Sequence, residues 1–243
     1  MPRCPFARWN PLGASAGAFT SGPFKIVMHT TEGSTLAGAL AALGSAHSES
    51  HFVVDAKEIV QLIDTSEASR SLRNAPGGVQ TNKDSAIQIE MVGFAGKPKD
   101  RAMLANTRKL CRWIERTHGI PRVWPAGPLP MSYAESMLTG KRNPTIWDTK
   151  GGYYGHSQVP ENEHWDPALT NEEVAFLMAD EAAVQPSPVI LPPKPVQPPP
   201  DIPWPETPAP APRASWGFPV GFLLIGGAIV VAVAVLHFVL HLI

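Results

Sequence analysis

The side chains best suited to metal chemistry are concentrated in one short stretch, residues 155–167. These thirteen residues include two histidines, two glutamates and one aspartate. Pro160 and Pro167 exclude a continuous helix, and the polar residues follow no apolar period, so the sequence predicts a fixed loop. Histidine together with a carboxylate is a common catalytic zinc set, in which three protein ligands leave a fourth position open. His156 and Asp166 are therefore candidate metal ligands.

A third candidate ligand lies far upstream, at the end of an apolar segment. Residues 24–28 predict a short buried strand, and His29 follows it directly. Polar residues at the carboxyl ends of strands are common site residues in α/β folds. A lone histidine at a strand end is more often structural, so the case for His29 depends on its combination with the downstream loop.

The segments around these residues predict an α/β domain with several strands. A hairpin is predicted over residues 51–63, and a further strand over residues 85–93. In that further strand Ile87, Ile89 and Met91 share one face, so Glu90 points with Gln88 to the opposite face. The pattern therefore separates a core face from a face that can carry chemistry.

Three helices and one long connection complete the predicted domain. Helices are predicted over residues 34–43, 100–118 and 171–183, the second with an apolar stripe that ends at Gly119. Residues 121–154 predict a long irregular stretch with several aromatic residues, including Tyr154. These rings either contact a sugar or peptide or simply cover the core.

Composition limits the functional classes. The formal net charge of −1 gives no indication of nucleic-acid binding. Cys4 and Cys111 lie far apart and match no zinc-finger spacing. We expect Cys111 to be a core residue of a helix, and a disulfide between the two cysteines is the alternative.

Proline marks a change of organisation after the last predicted helix. Thirteen of the 27 prolines lie between positions 186 and 212, a composition that disfavours helices and sheets and favours polyproline II geometry. The sequence predicts a semi-rigid spacer over residues 185–215. A docking motif for a proline-binding domain is the alternative reading of this segment.

Residues 216–243 predict a single membrane span. Residues 220–243 contain no charged side chain. At about 1.5 Å per residue, a helix of this length crosses a hydrocarbon core of about 30 Å. The N-terminus lacks the apolar segment of a secretory signal, so we expect a C-terminal anchor. Arg213 before the span, with no Lys or Arg after it, favours a large domain that faces the cytoplasm.

Four segments of the chain form a pattern when they are taken in order. They are Ile-Val-Met-His-Thr-Thr-Glu-Gly, Ser-His-Phe-Val-Val-Asp with a following Ile-Val-Gln-Leu-Ile-Asp, Ser-Ala-Ile-Gln-Ile-Glu-Met-Val-Gly, and Gly-His-Ser-Gln-Val-Pro-Glu-Asn-Glu-His-Trp-Asp-Pro. Together they resemble the zinc-dependent N-acetylmuramoyl-L-alanine amidases, the family of phage endolysins, wall-recycling amidases and peptidoglycan recognition proteins. The resemblance covers about residues 24–170, and its last motif looks most like endolysins of phages that infect actinobacteria.

The resemblance implies a central mixed β-sheet flanked by helices and a zinc site. The zinc ligands implied by position are His29, His156 and Asp166. The implied reaction is hydrolysis of the amide between N-acetylmuramic acid and L-alanine of the stem peptide, with Glu90 moving the water proton and His164 stabilising the oxyanion.

The chain departs from the family pattern at three positions. His164 stands where many members have lysine, Ser50 where some have tyrosine, and Ala168 where glycine is usual. A histidine is a cationic donor only below its pKa, so this replacement predicts pH-sensitive activity. The predicted substrate contacts are Thr30, Ser50 and Tyr154, the second of them at the tyrosine position.

The sequence therefore predicts four segments: an irregular N-terminal arm (1–22), a zinc amidase domain (23–184), a Pro-rich linker (185–215) and a transmembrane helix (216–243). The predicted partners are peptidoglycan and the lipid bilayer, with a holin or an injection machine as a further candidate. Two alternatives stay open. One is a wall-binding module without turnover, and the other is a lytic effector whose span also perturbs the membrane.

Overall fold

The fold is built on a six-stranded mixed sheet. The structure, a computed structural model, describes residues 2–138 and 140–180. The strands of the described part are β1 (Arg8–Trp9), β2 (Gly17–Ala18), β3 (Lys25–Thr30), β4 (Phe52–Val54), β5 (Ile59–Gln61), β6 (Glu67–Ala68), β7 (Ala86–Met91) and β8 (Gly152–Gly155). The sheet order is β1-β5-β4-β7-β3-β8, and only the β4–β5 pair is antiparallel. β2 and β6 form a separate antiparallel pair. The predicted central mixed sheet is confirmed.

Helices cover both faces of this sheet. They are α1 (Leu36–Ala46), α2 (Arg101–His118), α3 (Tyr133–Ser136), α4 (Pro144–Thr149) and α5 (Asn171–Met178). α2 begins at Asp100, whose carboxylate accepts from two backbone N–H groups, and ends at Gly119 in a left-handed conformation with φ 67°. α5 begins with a capping box in which the side chains of Thr170 and Glu173 each bond the other residue's N–H.

Alternation along the central strands separates the two faces. Ile87, Ile89 and Met91 pack with apolar residues of α2 and α5 in the main core. On the opposite face, Val53 and neighbours pack against α1, and Val27 packs with Trp147 and Tyr154. The predicted division of the β7 face is confirmed.

Two segments are more ordered than the sequence predicted. The N-terminal arm contributes β1, which pairs in parallel with β5, and the carboxylate of Glu49 accepts from the N–H groups of Leu12 and Ala14. Strands of two residues are too short to show alternation, which explains why the arm looked irregular. Residues 121–154 likewise contain α3, α4 and β8. The β8 sequence Gly-Tyr-Tyr-Gly is also too short to show a period.

Cys4 and Cys111 are both buried free thiols, and Cys111 lies in the α2 core as predicted. The disulfide alternative is not formed.

Among the described residues, no helix is long and apolar enough to cross a membrane. The predicted linker and membrane span lie outside these residues.

Candidate metal centre

Strand register brings the predicted ligands together. β3 and β8 run parallel, with Met28 paired to Gly155, so His29 and His156 come next on their segments at the same edge of the sheet. Their ring centroids lie 4.5 Å apart. Asp166 comes from the loop that follows, and its Oδ2 accepts from the N–H of Thr30 at 3.1 Å. Three separate segments therefore meet at one point.

The donor atoms of these three residues converge closely. The Nδ1 atoms of His29 and His156 are 3.1 Å apart. Asp166 Oδ1 lies 3.2 Å from His156 Nδ1, and Oδ2 lies 3.7 Å from His29 Nδ1. All three side chains are buried, and one ligand atom of each lies within 4.8 Å of the others. The three residues could therefore hold a metal ion, with the ligand set that the sequence predicted.

The hydrogen bonds on the far side of each ring direct lone pairs toward this point. His29 Nε2 lies 2.7 Å from Gln88 Oε1, and His156 Nε2 lies 3.0 Å from Asn162 Oδ1. Asn162 Oδ1 is an acceptor, because it also receives the N–H of Arg73 while its own amide donates to a carbonyl. With both Nε2 atoms as donors, each Nδ1 keeps a lone pair.

With both rings neutral in this tautomer, two imidazole lone pairs and a carboxylate face one another. Such a buried group of acceptors is repulsive unless a cation lies among them. Two histidines with one carboxylate also match a catalytic zinc set. The residues present therefore fit the metal that the resemblance implies.

The pKa values show which forms of the ligands the site favours without a metal ion. Burial, and then the neighbouring His156, lower the pKa of His29 to about 3, so this ring is neutral at ordinary pH. Burial would raise the pKa of Asp166, but the adjacent histidines hold it well below its usual range. Burial would lower the pKa of His156, but the Asp166 carboxylate outweighs burial and raises that pKa, so metal binding would displace a proton from this ring. A carboxylate and a neutral His29 are already the forms that bind metal.

Glu90 lies beside the ligands on the same face of the sheet. It is the register partner of His29 on β7, and paired residues of parallel strands point to the same side. Its Oε1 accepts from Ser50 Oγ at 3.2 Å, while Oε2 has no hydrogen-bond partner among the described residues. Burial, reinforced by the Asp166 charge, raises the pKa of Glu90 to about 8. This carboxyl group can therefore hold a proton near neutral pH.

His164 lies at the open side of the site. Its side chain is 61% exposed, its Nδ1 is 3.8 Å from Asp166 Oδ1, and its ring stacks on His156 with centroids 4.6 Å apart. Partial burial and then His156 lower its pKa below the ordinary value. The position suits a group that meets substrate, but the protonated form is confined to acidic pH. His164 at neutral pH therefore offers a neutral ring N–H rather than the predicted cation.

The three residues predicted to contact substrate all have buried side chains. Tyr154 is buried, and its hydroxyl donates to the carbonyl oxygens of α4 and of the residue after it. Thr30 is also buried, and its hydroxyl donates to Glu32. Ser50 is fully buried against Glu90. Tyr154 was placed in an irregular stretch, whereas it belongs to a central strand whose side chains pack into the protein.

Three residues of the site were not predicted. Gln88 and Asn162 orient the two histidines, and Arg142 donates to the carbonyl oxygen of His164 at 2.8 Å. Gln88 had a usable signal, because a polar residue two positions before Glu90 shares its face. Asn162 and Arg142 had none, since their partners come together only in the folded chain.

Comparison with known proteins assigns the family. Residues 20–169 match the family described as N-acetylmuramoyl-L-alanine amidase (Amidase_2). The chain belongs to this family. A search of curated protein sequences found no match.

Several solved structures are similar to this chain at low sequence identity. The hydrolase AmiA of Staphylococcus aureus, solved with its ligand, is 14% identical, with 73% of this chain and 83% of that chain covered and a TM-score of 0.49. The amidase LysC of Clostridium intestinale is 13% identical, with 71% and 96% covered and a TM-score of 0.45. The Ph2119 endolysin of a Thermus scotoductus bacteriophage is 13% identical, with 69% and 92% covered and a TM-score of 0.44. The family assignment depends on the sequence match over residues 20–169.

Proposed function

We propose that the protein is a zinc-dependent peptidoglycan hydrolase that cleaves the amide between N-acetylmuramic acid and L-alanine of the stem peptide. The observation that carries this proposal is the convergence of two imidazole Nδ1 atoms and a carboxylate next to Glu90. A structural zinc site has four protein ligands and no adjacent base. Here three candidate ligands and an adjacent carboxyl group with a raised pKa match a hydrolytic site.

His29, His156 and Asp166 would hold the zinc. When bound, zinc supplies a Lewis acid for the scissile carbonyl and a positive charge that favours the ionised form of Glu90. Glu90 takes the proton of the attacking water and passes it to the leaving amine. His164 donates a ring N–H to the oxyanion that develops on the carbonyl oxygen. Gln88 and Asn162 keep both ligand rings in the tautomer with a bare Nδ1.

The test is the release of new amino termini from purified peptidoglycan by the full-length chain in detergent. We expect release by the zinc-loaded protein, loss of release with a chelator, and its return when zinc is added. The variant His29→Ala should lose both bound zinc and activity. If His29→Ala kept stoichiometric zinc and full wall lysis, the assigned site would be wrong. Peptidoglycan binding without release would instead identify a wall-binding module.

We also propose that residues 216–243 tether the amidase domain to a membrane through the spacer at 185–215. The support is the uncharged apolar run of residues 220–243 and the proline-rich composition before it. The partner in this proposal is a lipid bilayer, with a holin or an injection machine to deliver the domain to the wall. Protease treatment of intact cells and of spheroplasts tests on which side of the membrane the amidase domain lies. Cleavage only after the membrane is breached is expected for a cytoplasmic domain.

A further inference from the structure

A short chain of hydroxyl groups lies behind Glu90. Ser50, just before β4, is fully buried, and its Oγ lies 3.2 Å from Glu90 Oε1 and 2.9 Å from Ser71 Oγ. Ser71 Oγ lies in turn 3.0 Å from the carbonyl oxygen of Glu49 and 3.5 Å from Ser69 Oγ. The chain therefore runs from the carboxyl group of the site to the backbone of the protein.

Counting protons shows which hydrogen bonds this chain can make at one time. Each serine hydroxyl has one proton to donate. In the ionised form of Glu90, which bound zinc would favour, the carboxylate is the strongest acceptor within reach, so Ser50 donates its proton to Oε1. Ser71 can donate either to Ser50 Oγ or to the Glu49 carbonyl oxygen, which has a second lone pair beside the one that receives the N–H of Arg70 at 3.1 Å. When Ser71 donates to Ser50, the two hydroxyls are aligned, and this alignment strengthens the bond of Ser50 to the carboxylate.

The outer end of the chain is itself fixed. The N–H groups of Ser71 and Leu72 both donate to Asn82 Oδ1, at 3.1 and 2.9 Å. The Asn82 amide also donates to the carbonyl oxygen of Leu72. The segment that carries Ser71 therefore cannot move away from Ser50 without breaking several hydrogen bonds in a largely buried setting.

We propose that Ser50, supported by Ser71, is a positioning residue that fixes one oxygen of Glu90 and leaves the other to handle the proton. With Oε1 committed to Ser50, Oε2 is the carboxylate oxygen without a partner among the described residues. The proposal rests on the proposed hydrolysis, in which Glu90 is the base. It assigns to Ser50 a role in the chemical step and none in holding substrate, because its side chain is fully buried.

The experiment measures kcat and KM of the zinc-loaded full-length protein on a soluble N-acetylmuramoyl-L-alanyl peptide. Ser50→Ala should lower kcat about 10- to 100-fold, the range expected for a lost hydrogen bond to a charged group, with KM and zinc content unchanged. Ser71→Ala should lower kcat by a smaller factor, about threefold. Ser50→Thr, which keeps the hydroxyl, should restore most of the lost rate. Ser48→Ala is the matched control, because Ser48 Oγ donates to the carbonyl oxygen of Arg70 and, within the described part of the chain, to no group of the site.

A double variant separates positioning from general damage to the fold. Because Ser50 acts through Glu90, adding Ser50→Ala to Glu90→Gln should lower the residual rate no further. An unchanged kcat in Ser50→Ala, a change in KM alone, or an equal loss in the Glu90→Gln background would each overturn the proposal. Failure of the proposed function would be visible earlier, as a wild-type protein that binds zinc but releases no amino termini. Should Ser50→Ala fail to fold, Ser71→Ala and Ser50→Thr decide the question.

Discussion

The two faces of β7 show how one strand serves stability and chemistry separately. Ile87, Ile89 and Met91 point into the apolar core beneath α2 and α5. Gln88 and Glu90, one position away along the same strand, point to the metal ligands and to the hydroxyl chain. The first face is stabilised by removing apolar surface from water, whereas the second holds buried polar groups whose hydrogen bonds leave some atoms without partners.

This difference explains why the site lies at the ends of strands that have a strong core. Bringing two imidazole lone pairs, Asp166 and Glu90 together costs stability until a cation and substrate are present. The opposite face of the same strands supplies the burial that offsets this cost. A substitution on the polar face should therefore lower activity more than stability, whereas a substitution on the apolar face should lower stability more than activity.

The largest predicted effect is a loss of activity on the polar face of β7. Glu90→Gln keeps the size of the side chain but removes the base, so kcat should fall about a thousandfold. Its free energy of unfolding should change little at neutral pH without zinc, because the buried Glu90 carboxyl, with its pKa raised to about 8, is already mostly protonated and glutamine is a neutral side chain of the same size. Turnover of muramoyl peptide and urea denaturation measure the two quantities. Glu163→Gln, an exposed carboxylate in the metal loop, is the control and should change neither.

Ile89, next to Glu90 on β7, should show the reverse effect, a loss of stability with little loss of activity. Ile89 is fully buried among core side chains, so Ile89→Ala should lower the free energy of unfolding by about 3 kcal/mol. At a temperature where the variant remains folded, kcat per folded molecule should stay within a factor of about two, because this side chain packs in the apolar core on the face of β7 away from the site. Urea denaturation with activity assays on the same samples checks this. A thousandfold loss of activity in the folded variant would contradict the separation of the two faces.

The pH dependence of stability tests His51, a buried histidine that is neither a metal ligand nor part of the apolar core. Burial lowers the pKa of His51 to about 4, and its neutral ring accepts the N–H of Gln88 and donates to the Glu67 carbonyl. Below pH 6.5 the unfolded chain binds a proton that the folded chain does not, so this contribution is full above 6.5 and is lost as pH falls toward 4. The loss should reach about 2 kcal/mol at pH 5.

Urea denaturation of wild type and His51→Asn from pH 7 to pH 4.5 isolates this residue. The asparagine does not titrate, and its amide oxygen can still accept from Gln88. We expect the variant to have a shallower decline of stability over this range. Parallel curves for the two proteins would show that His51 is protonated in the folded state.

What the sequence predicted well depended on local pattern. Glu90 could be assigned to the polar face because β7 is long enough to show alternation, and His29 because it ends an apolar segment. The pairing of β8 with β3 could not be predicted from Gly-Tyr-Tyr-Gly, so the sequence did not show that Tyr154 is a buried strand residue. The residues that orient the ligands act across the fold, and no spacing in the chain marks them.

The smallest effect that we predict is for Asn162, which is also the clearest example of a site residue that the sequence does not mark. Its amide oxygen fixes the His156 tautomer and also receives the Arg73 N–H. Asn162→Ala should weaken zinc binding about tenfold, the lower end for loss of an outer hydrogen bond to a metal-ligating histidine. Competition with a chromophoric chelator measures the affinity directly. Asn162→Asp should weaken binding less than alanine, because a carboxylate still accepts from His156 Nε2. Equal weakening by both would mean that Asn162 acts only through its amide N–H groups, which donate to the carbonyl oxygens of Pro160 and Arg73.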